Sequence, residues 1–299
     1  MVSQTAFALN DQAERASRAL PPLLVEAERI AATVILGIHG RKRAGPGESF
    51  WQYRPYSFGD STARVDWHKS ARSDRVFIRE NEWEAANTLW LWASSAPGME
   101  FRSPLAAVSK RQRADLLVLA LASLALRAHE RVGLIGGPDA PGHSRAILLG
   151  LAQRLMDRQG LVLPKFERPP RHASAVLVSD FFEPVEEIAM ALAPMAEAGI
   201  SGHLVQVTDP AEDTLPWMGR TEFKAVTGDE RLLAGRAETL REPYREQLSR
   251  HREALRDLCR RLGWSFSLHR TDSAPTSALL HLHQLIAGSR DRRAGSARR

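Results

Sequence analysis

Arginine and aspartate side chains alternate over one short stretch, and these types suit either recognition or internal ion pairing. The residues concerned are Arg54, Asp60, Arg64, Asp66 and Arg72. A guanidinium group binds a carboxylate through parallel hydrogen bonds, so opposite charges at short spacing favour bridges that fix an irregular module. The alternative is a surface that recognises an acidic loop of a partner protein.

Residues 39–79 combine cations with aromatic rings, as single-stranded nucleic-acid-binding surfaces do. The segment holds nine Lys or Arg residues against four acidic ones. Its aromatic residues include Phe50, Trp51, Tyr53, Tyr56 and Phe58. Such aromatic residues more often form the small core of a strand-rich module, and no recognised nucleic-acid motif is present. Nucleic-acid binding through this module and the Arg-rich residues 288–299 is therefore the alternative function.

Motifs that mark the common α/β enzymes are absent from the sequence. The chain has no G-x-x-x-x-G-K-[ST], no G-x-S-x-G and no H-E-x-x-H. His281 and His283 would face apart on a helix, so a shared metal is not expected. Cys259 has no activating neighbour in sequence beyond Arg260 and Arg261, and we expect a buried or half-buried thiol. Because function lies in a site and not in a fold, these absences favour a binding module over an enzyme.

Composition is that of a globular protein of 299 residues, with 43% hydrophobic and 25% charged residues. The net charge is +6, and residues 288–299 carry much of it, with five Arg and one Asp. A single cysteine excludes an internal disulfide and fits a reducing compartment. Residues 1–20 lack the apolar core of a secretory signal. The longest apolar stretch, residues 116–126, is shorter than the about 20 residues that span a bilayer. We expect a soluble, cytoplasmic protein.

Strand-like and helix-like segments alternate from residue 88 to residue 287, which predicts a mostly parallel sheet with helices on both faces. The predicted strands are 88–93, 131–136, 174–178, 203–207 and 265–269, with a short edge strand at 222–226. The predicted helices are 11–36, 110–129, 144–158, 186–198, 231–262 and 276–286. Trp90 and Trp92 share one strand face and are predicted to be core residues. Ligands of such folds bind beyond the carboxyl ends of the strands.

One patterned stretch carries the most specific motif of the chain. Residues 54–60 read R-P-Y-S-F-G-D and residues 64–72 read R-V-D-W-H-K-S-A-R. This stretch resembles the signature R-x-Y-x-x-G-D-x-x-R-x-[IV]-D-W-x-x-[ST]-A-[RK] of the "domain of unknown function 58" family. Residues 37–41 and 47–50 also resemble that family. Together with the downstream α/β pattern, the resemblance covers roughly residues 20–287.

The resemblance implies both an architecture and a partner. Members of the family carry a von Willebrand factor A-like domain and are usually encoded beside a MoxR-type AAA+ ATPase. It therefore implies a von Willebrand A-like, doubly wound domain at residues 86–287. A helix and a basic strand-and-loop module would precede it at residues 1–85, and a disordered tail would follow at 288–299. The implied function is that of a non-enzymatic adaptor or co-chaperone, which acts with the ATPase on an unidentified client protein.

The resemblance also implies a degenerate metal site. Von Willebrand A domains commonly hold a metal through D-x-S-x-S after the first strand, often followed by Met. Alignment on Met99 places Ser94, Ala96 and Gly98 at the three ligand positions. Asp180, which ends the third strand, fits the last ligand position. Because Mg²⁺ requires hard oxygen ligands and usually a carboxylate, we expect no tightly bound metal and no cofactor.

A shallow groove at the same place is the first candidate contact for a partner. The residues concerned are Ser94, Ser95, Met99 and Asp180. The second candidate contact is the module between Arg54 and Arg72.

Overall fold

The computed structural model separates into two compact units, residues 38–86 and the remainder of the chain. It describes residues 22–39, 50–56, 65, 67–72, 75–81, 88–138, 140–166, 173–225 and 229–296. Helix α1 (Pro22–His39) lies for most of its length in the larger unit. The sequence placed this helix with the strand-and-loop module instead.

The smaller unit contains an antiparallel pair of strands, β1 (Phe50–Pro55) and β2 (Phe77–Asn81). Between them lies α2 (Trp67–Ser70), a single helical turn. Ser70 Oγ accepts a hydrogen bond of 2.9 Å from the backbone N–H of Phe77, which ties the turn to β2. Short strands and turns were predicted for this segment.

The larger unit is built on a five-stranded sheet in which all neighbouring strands are parallel. Its strands are β3 (Thr88–Ala93), β4 (Arg131–Leu134), β5 (Ser174–Ser179), β6 (Ser201–Thr208) and β9 (Ser265–Arg270). Their order is β4-β3-β5-β6-β9. The predicted doubly wound parallel sheet is therefore confirmed. Successive strands are added towards one edge of the sheet from β3 to β4 and towards the other edge from β5 onwards. The switch point therefore lies between β3 and β5, and open α/β sheets bind ligands at such points.

Helices cover both faces of this sheet. The longer ones are α3 (Lys110–Arg127), α4 (Arg145–Asp157), α5 (Val185–Glu197), α7 (Arg241–Leu262) and α8 (Pro275–Ser296), and α6 (Pro210–Thr214) is a short one. On one face, Trp90 and Trp92 pack in a buried cluster with side chains of α5 and α7, as predicted for the two tryptophans. Helices α3 and α8 contact each other and the strands on the other side. Each large side chain buried in these layers stabilises the fold by about 1.5–3 kcal/mol.

A separate hairpin replaces part of a predicted helix. Strand β8 (Arg231–Ala234) pairs antiparallel with β7 (Thr221–Lys224), and α7 begins only at Arg241. The prediction of one helix over 231–262 was wrong at its start, because Gly235 follows the strand and Pro243 fits only the first turn of a helix. The predicted edge strand at 222–226 lies in this hairpin and not in the main sheet.

The last helix extends further than predicted. Helix α8 continues to Ser296, past residue 287, after which the sequence predicted a disordered tail. Arginine and alanine are good helix formers, so an Arg-rich composition does not itself end a helix. Within the described residues, no helix combines the length and the apolar character needed to cross a membrane.

Candidate functional site

The candidate site lies at the carboxyl edge of the sheet, beyond the ends of β3 and β5. Ser94 and Ser95 follow β3 and are both buried. The Ser94 hydroxyl donates to the carbonyl oxygen of Leu161 at 3.0 Å and accepts from the N–H of Ala96 at 3.1 Å. Ser95 accepts a hydrogen bond of 3.0 Å from the N–H of Leu161. Both serines therefore fasten the segment after α4 to the end of β3.

Met99 and Asp180 are buried as well, so the four groove residues predicted from the sequence turn their side chains inward. A partner at this edge would contact the residues around them. Ala96 offers a methyl group and Gly98 no side chain at all. The Ser94 hydroxyl is already engaged by backbone groups.

Asp180 is held in place by the backbone that follows it. Phe181 has a positive φ of 47°, which is uncommon for a residue with a bulky side chain and marks a constrained turn. The side-chain amide of Gln206 donates to the carbonyl oxygen of Asp180 at 2.7 Å. His251 Nε2 lies 2.6 Å from the carbonyl oxygen of Phe181. Contacts from β6 and α7 thus direct the carboxylate towards α3.

Lys110 is the side chain that this carboxylate meets. Its Nζ lies 2.8 Å from Asp180 Oδ2 and 2.5 Å from Glu212 Oε1. The rings of Phe182 and Phe101 face the ammonium, with centroids 5.1 Å and 5.9 Å from Nζ. Only 1% of the Lys110 side chain is exposed. An internal ammonium therefore lies between the acidic side chains at the switch point of the sheet.

Two capping boxes bring these charges together. Ser109 and Gln112 cap the start of α3, which fixes Lys110 as its first residue. Asp209 and Glu212 cap α6 in the same way after β6. A helix N-terminus repels a cation, so the acidic neighbours are what make the position of Lys110 favourable.

The second carboxylate of the pair belongs to a tightly bonded turn. Glu212 Oε2 accepts from the N–H of Asp209 at 2.8 Å, while Oε1 faces Lys110. Asp209 Oδ2 accepts from the N–H of Ser103 at 2.8 Å, which ties the loop before α3 to the end of β6. Burial raises the pKa of Glu212, and this outweighs the attraction of the Lys110 ammonium.

This arrangement suits a fixed, charged scaffold better than a metal centre. In the described part of the chain, no three His, Cys, Asp or Glu side chains group closely enough to hold a metal ion. The positive charge that a metal would bring between Asp180 and Glu212 comes instead from the lysine. The residues present therefore do not fit a divalent cation at this position, because the ammonium would repel it.

The absence of a side chain at position 98 lets Asp180 reach Lys110. A Cβ added at Gly98 would lie 3.0 Å from Asp180 Oδ2, closer than atoms normally pack. We expect Gly98→Ala to lower the free energy of unfolding by about 1–2 kcal/mol, as overpacking does. Urea denaturation measures this change. A matched control is Gly150→Ala in α4, where an added Cβ meets nothing within 4 Å; it should stabilise by about 0.5–1 kcal/mol. Equal effects at both positions would contradict the packing argument.

The Arg and Asp residues of the signature belong to the smaller unit, residues 38–86, and three of them lie outside the described residues. Arg54 pairs with Ile78 through the β1–β2 register, and Arg72 is an exposed residue of the turn after α2. Asp60, Arg64 and Asp66 lie outside the described residues, as does most of the basic segment at 39–49. The choice between internal bridges and a partner surface therefore stays open.

Sequence reasoning missed Lys110 and Glu212, which carry the site. The available signals were the two capping patterns, S-K-R-Q at 109–112 and D-P-A-E at 209–212. They locate the helix starts, but they do not show that the two starts meet.

Cys259 lies in the core, in agreement with the sequence expectation. Burial raises the pKa of its thiol to about 12. Because the thiolate is the reactive form, we expect the thiol of the folded chain to react with Ellman's reagent only as fast as the protein unfolds. Absorbance kinetics with and without urea measure this. Rapid reaction in the native state would contradict the structure.

Comparisons with known proteins place the chain in a family. Its similarity to the crystal structure of the conserved hypothetical protein BatB from Bacteroides thetaiotaomicron has a TM-score of 0.35 at 14% identity, over 68% of this chain and 98% of that one. An aerotolerance-related membrane protein from Bacteroides fragilis NCTC 9343, with multiple mutations to serines, gives a TM-score of 0.35 at 14% identity, over 68% of this chain and 99% of that one. No curated protein matches the chain. The model of the family "Protein of unknown function DUF58" matches residues 52–254. The chain belongs to that family, as the signature at residues 54–72 predicted.

Proposed function

We propose that the chain is a non-enzymatic, protein-binding adaptor or co-chaperone that acts with a MoxR-type AAA+ ATPase on other proteins. The ATPase association is what family membership implies, and the proposal places both proteins in the cytoplasm. The observation that supports a binding role most directly is the buried Lys110 ammonium between Asp180 and Glu212. It occupies the place where an α/β domain of this kind would otherwise bind a ligand.

The surface near the cluster offers an apolar contact that a partner protein could bind without any catalytic step. Leu105 lies in the loop before α3 and is 54% exposed. Its backbone is anchored, because Ser103 bonds to Asp209 and to the N–H of Leu105. Interfaces gain most from apolar side chains on rigid supports, since less entropy is lost on binding.

A pull-down from the native cells tests the proposal. The tagged full-length chain is used with and without a non-hydrolysable ATP analogue, and captured proteins are identified by mass spectrometry. We expect an AAA+ ATPase whose recovery depends on the nucleotide. Leu105→Ser should reduce this recovery, whereas Leu149→Ser, an equally drastic change at an exposed leucine of α4, should not. Recovery of nuclease-sensitive material without an ATPase would favour the nucleic-acid alternative.

The absence of a functional metal has its own test. We expect isothermal titration with Mg²⁺ or Mn²⁺ to show no tight binding to the full-length chain, because Lys110 repels a divalent ion from the two carboxylates. Affinity in the micromolar range would contradict the proposed scaffold.

A further inference from the structure

Residues 172–219 are distinguished by their charge. This stretch holds eight Asp or Glu residues and no Lys or Arg, in a chain that has 41 basic residues. It includes α5 and α6 and the two strands that precede them. The acidic charge is therefore concentrated in one part of a basic protein.

Four of the eight acidic side chains are satisfied inside the domain. Asp180 and Glu212 face Lys110. Asp213 lies 2.5 Å from a guanidinium nitrogen of Arg252. Asp209 accepts backbone hydrogen bonds from Ser103 and Ala211, each at 2.8 Å. These four side chains hold the fold together and are not free to bind a partner.

The other four acidic side chains lie on or beside α5. They are Glu183, Glu186, Glu187 and Glu197, and the described residues show no ion pair for any of them. Glu183 Oε2 is buried without a hydrogen-bond partner among the described residues. Burial raises the pKa of Glu183, and the nearby Asp180 and Glu187 raise it further. Glu186, Glu187 and Glu197 are exposed, so these three carry the negative charge that another molecule can reach.

An exposed apolar side chain lies among these glutamates. Met190 is 68% exposed, one turn after Glu186 and Glu187, and Pro194 follows one turn later on the same exposed side. The opposite side of α5 is fully buried through Ile188, Leu192 and Met195. We define the α5 outer face as Glu186, Glu187 and Glu197 together with Met190 and Pro194. Methionine adapts its shape to varied partners, and helices often dock on such surfaces.

Helix α7 covers the same face of the sheet but leaves these glutamates unpaired. It is rich in arginine, yet those of its arginines that form ion pairs face acids elsewhere. Arg252 pairs with Asp213, while Arg245, Arg250 and Arg260 pair with acidic residues of α7 itself. The α5 outer face therefore keeps a net negative charge in a protein of net charge +6.

We propose that the α5 outer face docks a basic, amphipathic helix of a partner protein. Lysine or arginine side chains one turn apart on that helix would face the exposed Glu186 and Glu187, and an apolar residue between them would cover Met190. Charge complementarity selects this occupant, because opposite charges steer association and suppress partners of like charge. The inference rests on the proposed binding function and names the chemistry of the partner.

Fluorescence anisotropy with the full-length chain tests this proposal. The probe is a labelled helical peptide of about 14 residues in which Lys recurs every three or four positions beside Leu. We expect Glu186→Gln combined with Glu187→Gln to weaken binding about fivefold to tenfold at low salt. The difference should shrink as salt screens the charges. Met190→Ser should weaken binding about threefold at any salt concentration.

Matched changes elsewhere separate a specific face from general attraction. Asp229→Asn combined with Glu230→Gln removes an adjacent acidic pair from the exposed residues before β8, and Met218→Ser removes an exposed methionine. Both control variants should bind the peptide as the unmodified chain does. Equal weakening by the α5 and control variants, or no binding at all, would overturn the proposal. If the peptide binds at α5 but no ATPase is captured from cells, only the proposed function fails. If the α5 variants capture the ATPase normally, only the docking face fails.

Discussion

Lys110→Met should lower the free energy of unfolding by about 3–5 kcal/mol at neutral pH, because the change leaves Asp180 and Glu212 buried without their cation. Methionine keeps most of the side-chain volume, so the loss reports the charge and not a cavity. The side chains of Asp180 and Glu212 are only 5% and 15% exposed, and water cannot replace the ammonium. Urea denaturation followed by tryptophan fluorescence measures the change.

The effect of Lys110→Met should depend on pH in a definite direction. The pKa of Glu212 is raised in the folded protein already with Lys110 present. A raised pKa favours folding below the ordinary pKa of the group and loses that contribution as the pH rises through the folded value. Removing the ammonium raises this pKa further. The variant should therefore lose more stability at about pH 8 than at about pH 5.

Two comparisons make the Lys110 result interpretable. Lys224→Met, at a side chain that is 61% exposed and paired with Glu222, should change stability by less than about 0.5 kcal/mol. Adding Asp180→Asn and Glu212→Gln to Lys110→Met should restore part of the loss, because neutral amides cost less to bury than carboxylates. A loss as small as that of Lys224→Met would contradict a buried ion cluster.

Arg158→Met should have the second largest effect, a loss of about 3–4 kcal/mol. Arg158 forms a buried ion pair with Asp115 of α3, and both side chains are less than a tenth exposed. It also donates to the carbonyl oxygens of Ala93 and Ser94, at 3.1 Å and 3.2 Å. The variant would leave a buried carboxylate unpaired and release the end of β3. Urea denaturation again measures the loss.

Asp115 gives the Arg158 variant its own pH dependence. Burial raises the pKa of Asp115 even though Arg158 opposes the shift. Without Arg158 that pKa rises further, so the loss of stability should increase between about pH 5 and about pH 8. Arg260→Met, at an arginine of α7 that is 77% exposed, serves as the control and should change stability by less than about 0.5 kcal/mol. A loss independent of pH would mean that Asp115 is not the group left behind.

The strands of the main sheet could be predicted from the sequence because each strand is marked by a short run of neighbouring apolar residues. The strand over Thr88–Ala93 has the predicted bounds, and Trp90 and Trp92 share a face because side chains alternate along a strand. Helix α3 was recognisable from its apolar circumference, which only packing on several sides explains. Asp180 was singled out by the family resemblance together with its position at the end of an apolar strand.

The rest of the site depends on contacts between distant residues. Lys110 meets Asp180 across 70 residues and Glu212 across 102 residues. No local pattern shows that a lysine at a helix start is buried, since lysine is usually exposed. The hairpin of β7 and β8 was missed for a related reason, because Leu232 and Leu233 suit a helix or a strand equally well and only pairing decides.

The tethered ammonium at the carboxyl edge has a consequence for how the domain responds to its surroundings. An ion taken up from solution stabilises a protein by an amount that rises with its free concentration. Lys110 belongs to the chain, so its effective concentration beside Asp180 is set by the fold and does not change on dilution. The edge is complete once α3 packs on the sheet, and we therefore expect chelators or changes in the concentration of divalent ions to leave its stability unchanged.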